Sequence, residues 1–394
     1  MFLTGATIIL LWRFDTVTIL HKFNGMDNLG NGPYGLVQGT DGAFYGTTEE
    51  GGGYDRGTIF KVSPTGMLTS LHGFISGQEG DRPYGLIEGR DHNFYGVTEH
   101  WDSNGSDSLG GMDSSWNEFG TVFKMTPAGA LTTLHTFNNK DGDRPAARLV
   151  QGRDGNLYGS TTGDGAKDES TIFRITTSGV LTTLYRFPNS QTIRGLGWSH
   201  ADLGPQSALT EGSDGTFFGT TKIGGSDGGC GTVFEITSKG VLTTLHSFGF
   251  DNNGWYPGAG LIRAHNGDFY GTTETTIFKI TPSGVFTRLY TCKLGQDRGT
   301  ELDGLIQARD GSFYGTSEKG GANQHGTIFK ITADGNLTTL YSFGPDDDIG
   351  PYTLIQASDG SICGTSFGER GDGTIFKVTS SNWLTRLMAY RIWE

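Results

Sequence analysis

Apolar positions along this chain do not recur at helical spacing. They come in short bursts bounded by Gly, Asp, Asn, Pro and Ser, the signature of strands joined by tight turns. The burst "GTIFKV" at Gly57 returns as "GTVFKM" at Gly120, "STIFRI" at Ser170, "GTVFEI" at Gly231, "TTIFKI" at Thr275, "GTIFKI" at Gly326 and "GTIFKV" at Gly373. A short turn and a second burst follow each time, as in "LTSLHGF" at Leu68, "LTTLYSF" at Leu337 and "LTRLMAY" at Leu384. A variable segment then leads to phrases such as "GLVQGTDGAFYGTTE" at Gly35. The period is roughly 45 to 65 residues, in the range of propeller blades.

Each unit therefore holds four strand signals, A ("GLIQA"), B ("FYGTT"), C ("TIFKI") and D ("LTTLYSF"). Asp-Gly pairs such as Asp41-Gly42 and Asp310-Gly311 join A to B and suit hairpin turns that need positive φ. Strands B and C are apolar or small on both faces, which fits sheets sandwiched between neighbours. The Gly of "YGT" is expected to let blades crowd toward a central axis. The fold class predicted is all-β, a seven-bladed β-propeller of four-stranded antiparallel blades. It forms a single domain over 1–394, with repeats at about 32–73, 84–137, 146–187, 206–248, 258–292, 302–343 and 352–390.

The N-terminus adds a degenerate half repeat at 6–23. "ATIILLWRFDTVTILHKF" from Ala6 lines up without a gap on "GTIFKVSPTGMLTSLHGF" from Gly57. It reads as an extra C–D strand pair, which either docks on the last blade or marks a truncated eighth.

Composition narrows the function classes. Gly is 66 of 394 residues, well above the usual ~7%, but without a Gly-X-Y period, and Phe and Tyr are plentiful. Formal net charge is −13 and no Lys/Arg cluster appears, which argues against nucleic acid and anionic membrane partners. No apolar run reaches the ~20 residues of a membrane span. The N-terminus lacks a basic start and a small-residue cleavage site, so it gives no clear export signal. Cys230, Cys292 and Cys363 are odd in number and far apart, which sets up no disulfide framework. A monomer is expected.

Loop length singles out one face. A–B and C–D turns are short and constant, whereas D–A and B–C loops vary and share a propeller face. Two insertions fall there, Glu99–Phe119 and the stretch from Pro188 to Pro205. Trp101, Trp116, Trp198 and Trp255, with Tyr256, lie in these loops and supply flat aromatic surface suited to a sugar ring, or else cap their own loops as local cores. Asp102, Glu118, His200 and Asp202 are the candidate catalytic acids and bases. His21, His72, His135 and His246 share one strand-D position and read as structural. Asp102, Asn104, Asp107 and Asp113 space oxygen ligands as a Ca²⁺ loop does, although Gly is missing at the sixth position and Glu at the twelfth. No cofactor is required on this reading, with Ca²⁺ the one candidate ion. Glu49, Glu99, Glu274 and Glu318 end strand B, and Asp-Arg pairs at Asp81, Asp143 and Asp297 open the next unit. These charges either ring the channel mouth or pair between blades.

The recurring phrases "GLIQGRDGNLYGTT" and "GTIFKITPSGVLTTLHSF" resemble the GloVer tandem-repeat family of bacterial proteins over residues 6–390. The resemblance implies an exported or surface-anchored, extracellular protein and assigns no catalytic residue. Three functions remain open: a carbohydrate-binding propeller for a poly- or oligosaccharide, a glycoside hydrolase or polysaccharide lyase, and a protein-interaction scaffold.

Overall fold

The computed structural model describes residues 14–23, 30–75, 79–99, 119–138, 140–145, 147–162, 170–188, 204–226, 229–249, 254–292, 302–344, 350–368 and 373–380. No helix occurs among them. They form seven four-stranded antiparallel sheets, a seven-bladed propeller.

The chain begins with β1 (Phe14–Phe23). Blade one is β2 (Asn31–Gln38), β3 (Phe44–Glu50), β4 (Thr58–Val62) and β5 (Leu68–Gly73). Blade two is β6 (Pro83–Glu88), β7 (Phe94–Thr98), β8 (Thr121–Met125) and β9 (Leu131–Thr136). Blade three is β10 (Val150–Gln151), β11 (Leu157–Thr161), β12 (Thr171–Ile175) and β13 (Leu181–Arg186). Blade four is β14 (Thr210–Glu211), β15 (Phe217–Thr221), β16 (Thr232–Ile236) and β17 (Leu242–Ser247). Blade five is β18 (Ile262–Arg263), β19 (Phe269–Thr272), β20 (Thr276–Ile280) and β21 (Phe286–Thr291). Blade six is β22 (Leu302–Gln307), β23 (Phe313–Ser317), β24 (Thr327–Ile331) and β25 (Leu337–Ser342). Blade seven is β26 (Pro351–Gln356), β27 (Ile362–Phe367) and β28 (Gly373–Ser380), and β1 completes it in the order β1-β28-β27-β26.

The N-terminal segment thus docks on the last blade. β1 takes the D position with the register of every other blade: Phe376 pairs with Ile19 and Ile375 with His21, so Leu20 is bulged. In blade one, Phe60 pairs with Ser70 and Ile59 with His72, so Leu71 is bulged at the same place. The expected D strand at Leu384 and the expected C strand before Phe14 lie outside the described residues.

The core sits between blades. One cluster joins Phe23 and Ile375 of blade seven to Leu36, Phe44 and Phe60 of blade one, and each following interface has its own. Strand B is buried along its length, C nearly so, and D only partly. The paired aromatics of strand B explain this. Tyr158 stacks on Phe217 of the next blade at 4.0 Å, Phe218 on Phe269 at 4.0 Å and Tyr270 on Phe313 at 4.1 Å. In the five blades that carry an aromatic pair, strand B presents one ring forward and one back, and offset stacking adds to burial; blade three has Leu157 in the first place and blade seven has Ile362 and Cys363.

The Gly of "YGT" plays a different part from the expected crowding at the axis. A Cβ on Gly271 would meet the Phe278 ring at 2.6 Å and Leu261 Cδ2 at 2.7 Å. Phe278 is its cross-strand partner, so the ring of strand C folds over the Gly of strand B within one blade. Close approach at the axis belongs instead to strand A, where a Cβ on Gly35 would lie 3.4 Å from Gly85 Cα.

Candidate binding site at the channel mouth

The propeller topology sends the ends of strands B and the starts of strands A to one face. Between them lies a cavity of about 450 Å³ at the channel mouth, lined by groups from blades two to seven. Its wall is not uniform.

Blades seven and two contribute the phenols Tyr352 and Tyr84, and Tyr34 of blade one packs against both. Its ring centroid lies 4.8 Å from that of Tyr84 and 4.9 Å from that of Tyr352. All three phenols are raised. Burial raises Tyr34 and Tyr84, and for Tyr352 the neighbouring Tyr84 is the larger cause. They stay protonated and present hydroxyls beside flat apolar faces. Blades three and four contribute the cations Arg144 and Lys222. Blades five and six contribute Glu274, Asp303 and Glu318.

Glu99 of blade two also lines the cavity. Burial pushes its carboxyl up, opposed by Arg144 and Arg82 and reinforced by Glu49. Burial raises Glu49 as well, with Arg82 opposing at 3.4 Å. Of the four Glu residues predicted to end strand B, three reach the cavity, together with Thr162 and Lys222 at the equivalent places in blades three and four.

The Asp-Arg pairs have a second role in the backbone. Arg82 and Arg144 have positive φ, 49° and 52°, and each precedes a Pro. The Arg82 N–H donates to the Arg56 carbonyl of blade one, and its own carbonyl accepts from the Glu99 N–H. Arg144 repeats this between Phe119 and Thr162. Asp81 accepts from Arg56 at 2.7 Å. The motif therefore pairs between blades and also places Arg144 at the mouth. The third pair, at Asp297, lies outside the described residues.

Of the aromatic residues expected to bind ligand, Tyr256 lines the cavity. Trp255 packs on the core between blades four and five. Trp101, Trp116, Trp198, His200, Asp202, Asp102, Glu118, Asn104, Asp107 and Asp113 lie outside the described residues. Among the described residues no group of three or more His, Cys, Asp or Glu is placed to hold a metal. Sequence reasoning missed the tyrosine wall. The signal was present, since Pro-Tyr recurs at Pro33, Pro83 and Pro351 at the start of strand A, but a repeated aromatic reads as core.

A larger cavity, about 630 Å³, opens between blades three and four and is lined by Phe187, Leu242, Thr244 and His246. Tyr185 and His246 are its titratable side chains among the described residues, and the His246 ring stacks flat on Phe286 at 4.0 Å. It lacks the convergent polar groups of the mouth.

The chain belongs to the Gloeobacter/Verrucomicrobia repeat family, whose model matches residues 5–201 and 274–392. Blade four, inside the unmatched stretch, keeps the same strand order. No curated protein matches the sequence. Among solved structures, a streptogramin B lyase is 18% identical, with a TM-score of 0.64 over 93% of this chain and 98% of that one. The extracellular domain of a candidate hybrid two-component system from B. thetaiotaomicron is 12% identical, with a TM-score of 0.57 over 89% of this chain and 40% of that one. A candidate 6-phosphogluconolactonase from Bacteroides uniformis is 16% identical, with a TM-score of 0.52 over 85% and 87%. At these identities the likeness is one of fold.

Proposed function

We propose that this protein is a sugar-binding propeller whose ligand sits in the channel mouth on the D–A/B–C face. One observation carries the reading: the mouth cavity gathers phenols, carboxylates and cations around a single bowl. A polyhydroxylated ring has apolar C–H faces and a rim of donors and acceptors. Tyr84 and Tyr352 suit the faces. Glu274, Asp303 and Glu318 suit the hydroxyls, because a carboxylate accepts two or more O–H donors. Pockets of this size with a few convergent polar groups are the common form of small-ligand sites. Trp101, Trp116 and Trp198, with Asp102, Glu118, His200 and Asp202, belong on this reading to the loops that rim the bowl, and an extracellular setting supplies its glycans.

A glycan-array screen of the whole chain, followed by calorimetry and a reducing-end assay on each hit, tests this. Binding without turnover, lost in Tyr84→Ala and in Glu318→Gln, supports the reading. Release of reducing ends would make the protein a glycosidase or lyase instead. No glycan bound, with a protein partner captured, would make it a scaffold.

A further inference from the structure

Six blades place a small residue on the channel wall just before the buried Leu of strand A: Gly35, Gly85, Ala208, Gly260, Gly304 and Thr353. Blade three places Arg148 there, just before Leu149. A feature that breaks the repeat is not needed for stacking blades, since six interfaces do without it.

Arg148 is built into the wall. A Cβ on Gly85 would lie 3.1 Å from the Arg148 Cβ and 3.3 Å from its Cγ, so the glycine of blade two leaves room for the arginine stem. The side chain is open to the channel lumen, while protein surrounds it closely enough that lost hydration lowers its pKa. No carboxylate contributes to that shift. Among the described residues it makes no hydrogen bond or ion pair.

A guanidinium keeps its charge even when desolvated, and its planar fork matches the two oxygens of a carboxylate or phosphate. Arg148 lies in the blade that Arg144 opens, four residues further along the chain and so deeper in the channel than the residues lining the mouth cavity. We propose that Arg148 is an oxyanion subsite in the channel wall below the mouth cavity, so that the channel selects acidic sugars over neutral ones. This rests on the sugar-binding reading for the body of the ligand and on Arg148 alone for its acid.

Two probes separate these. Digalacturonate and its methyl ester share a skeleton and differ in charge. In calorimetry the acid should bind at least about tenfold more tightly than the ester, the gain expected of a charge-assisted hydrogen bond. Arg148→Gln should remove that preference, and Arg148→Lys should keep part of it. In parallel, inorganic phosphate should protect Arg148 from phenylglyoxal, read by peptide mass, without protecting Arg90 or Arg288.

Acid and ester bound equally, with no protection by phosphate, would overturn the subsite and leave sugar binding standing. A preference that survives in folded Arg148→Gln would overturn it too. Protection by phosphate without binding of either sugar would keep the subsite and remove the sugar reading. No protection and no binding would overturn both.

Discussion

The backbone N–H of Ser358 donates to Oε1 of Gln38 at 2.7 Å, joining positions 320 residues apart. This bond clasps blade seven to blade one on the face opposite the mouth. Five equivalents follow around the ring: Thr40 to Glu88, Arg90 to Gln151, Arg153 to Glu211, His265 to Gln307 and Arg309 to Gln356. At the remaining junction, between blades four and five, the acceptor position is Arg263, whose side chain cannot accept. Gln38→Ala should lower stability by about 0.5–1.5 kcal/mol for each of the two bonds it removes, the second being the one Nε2 donates to the Gly42 carbonyl at 3.0 Å. Arg263→Gln should raise it by a similar amount by supplying the missing clasp. Chemical denaturation of both variants checks this, and opposite signs are the expected result.

Ring closure depends more heavily on β1. Phe23 is fully buried between blades seven and one and packs on Phe60 at 5.4 Å. Phe23→Ala should cost about 3–5 kcal/mol, as large-to-small core changes do. Deleting residues 1–23 should destabilise further, because the D-like segment at Leu384 is a poor substitute. It carries Tyr390 where Phe23 is fully buried and would bring an unpaired hydroxyl into that site. A deletion variant that melts at the wild-type temperature would mean that the C-terminal segment can close the ring.

Gly271→Val should cost about 1–3 kcal/mol or more through overpacking against Phe278 and Leu261. The double variant Gly271→Val, Phe278→Leu should recover part of the loss, because it shrinks the ring that covers the glycine. Additive losses in thermal denaturation would contradict that packing relationship.

The acid limb of stability should come from the A–B turns. Asp359 accepts from Lys377 at 2.6 Å and from Ser361, and these bonds lower its pKa to about 2. Burial opposes the same change at Asp91, where hydrogen bonds from Lys124, Tyr95 and Asn93 prevail and lower it. Asp41 and Asp310 are lowered in the same way. A depressed carboxylate stabilises the fold above its unfolded value, near ~4, and that contribution is lost as pH falls toward the folded value. Stability should therefore drop between about pH 4 and pH 2. Asp359→Asn should flatten the drop slightly, since its half-exposed pair is partly screened.

The architecture was legible because the strand phrases repeat with one spacing, and "FYGTT" could only be buried on both faces. The role of its glycine was not, because a crowded glycine looks the same in sequence whether the neighbour is another blade or the Phe278 ring. β1 could be aligned with other D strands, but two endings competed for one slot, and only pairing with β28 decides between them. The mouth was half legible. Glu99, Glu274 and Glu318 stood out by position, whereas Tyr34, Tyr84 and Tyr352 were hidden by their resemblance to core residues. Arg148 was hidden because one basic residue in a run of small ones carries no pattern.

The most direct test of the central claim is a crystal structure of the protein soaked with the tightest glycan from an array. The account predicts a sugar ring in the channel mouth, in contact with Tyr84, Tyr352 and Glu318. An empty mouth, with the sugar in the cavity between blades three and four or on the outer strands, would contradict it.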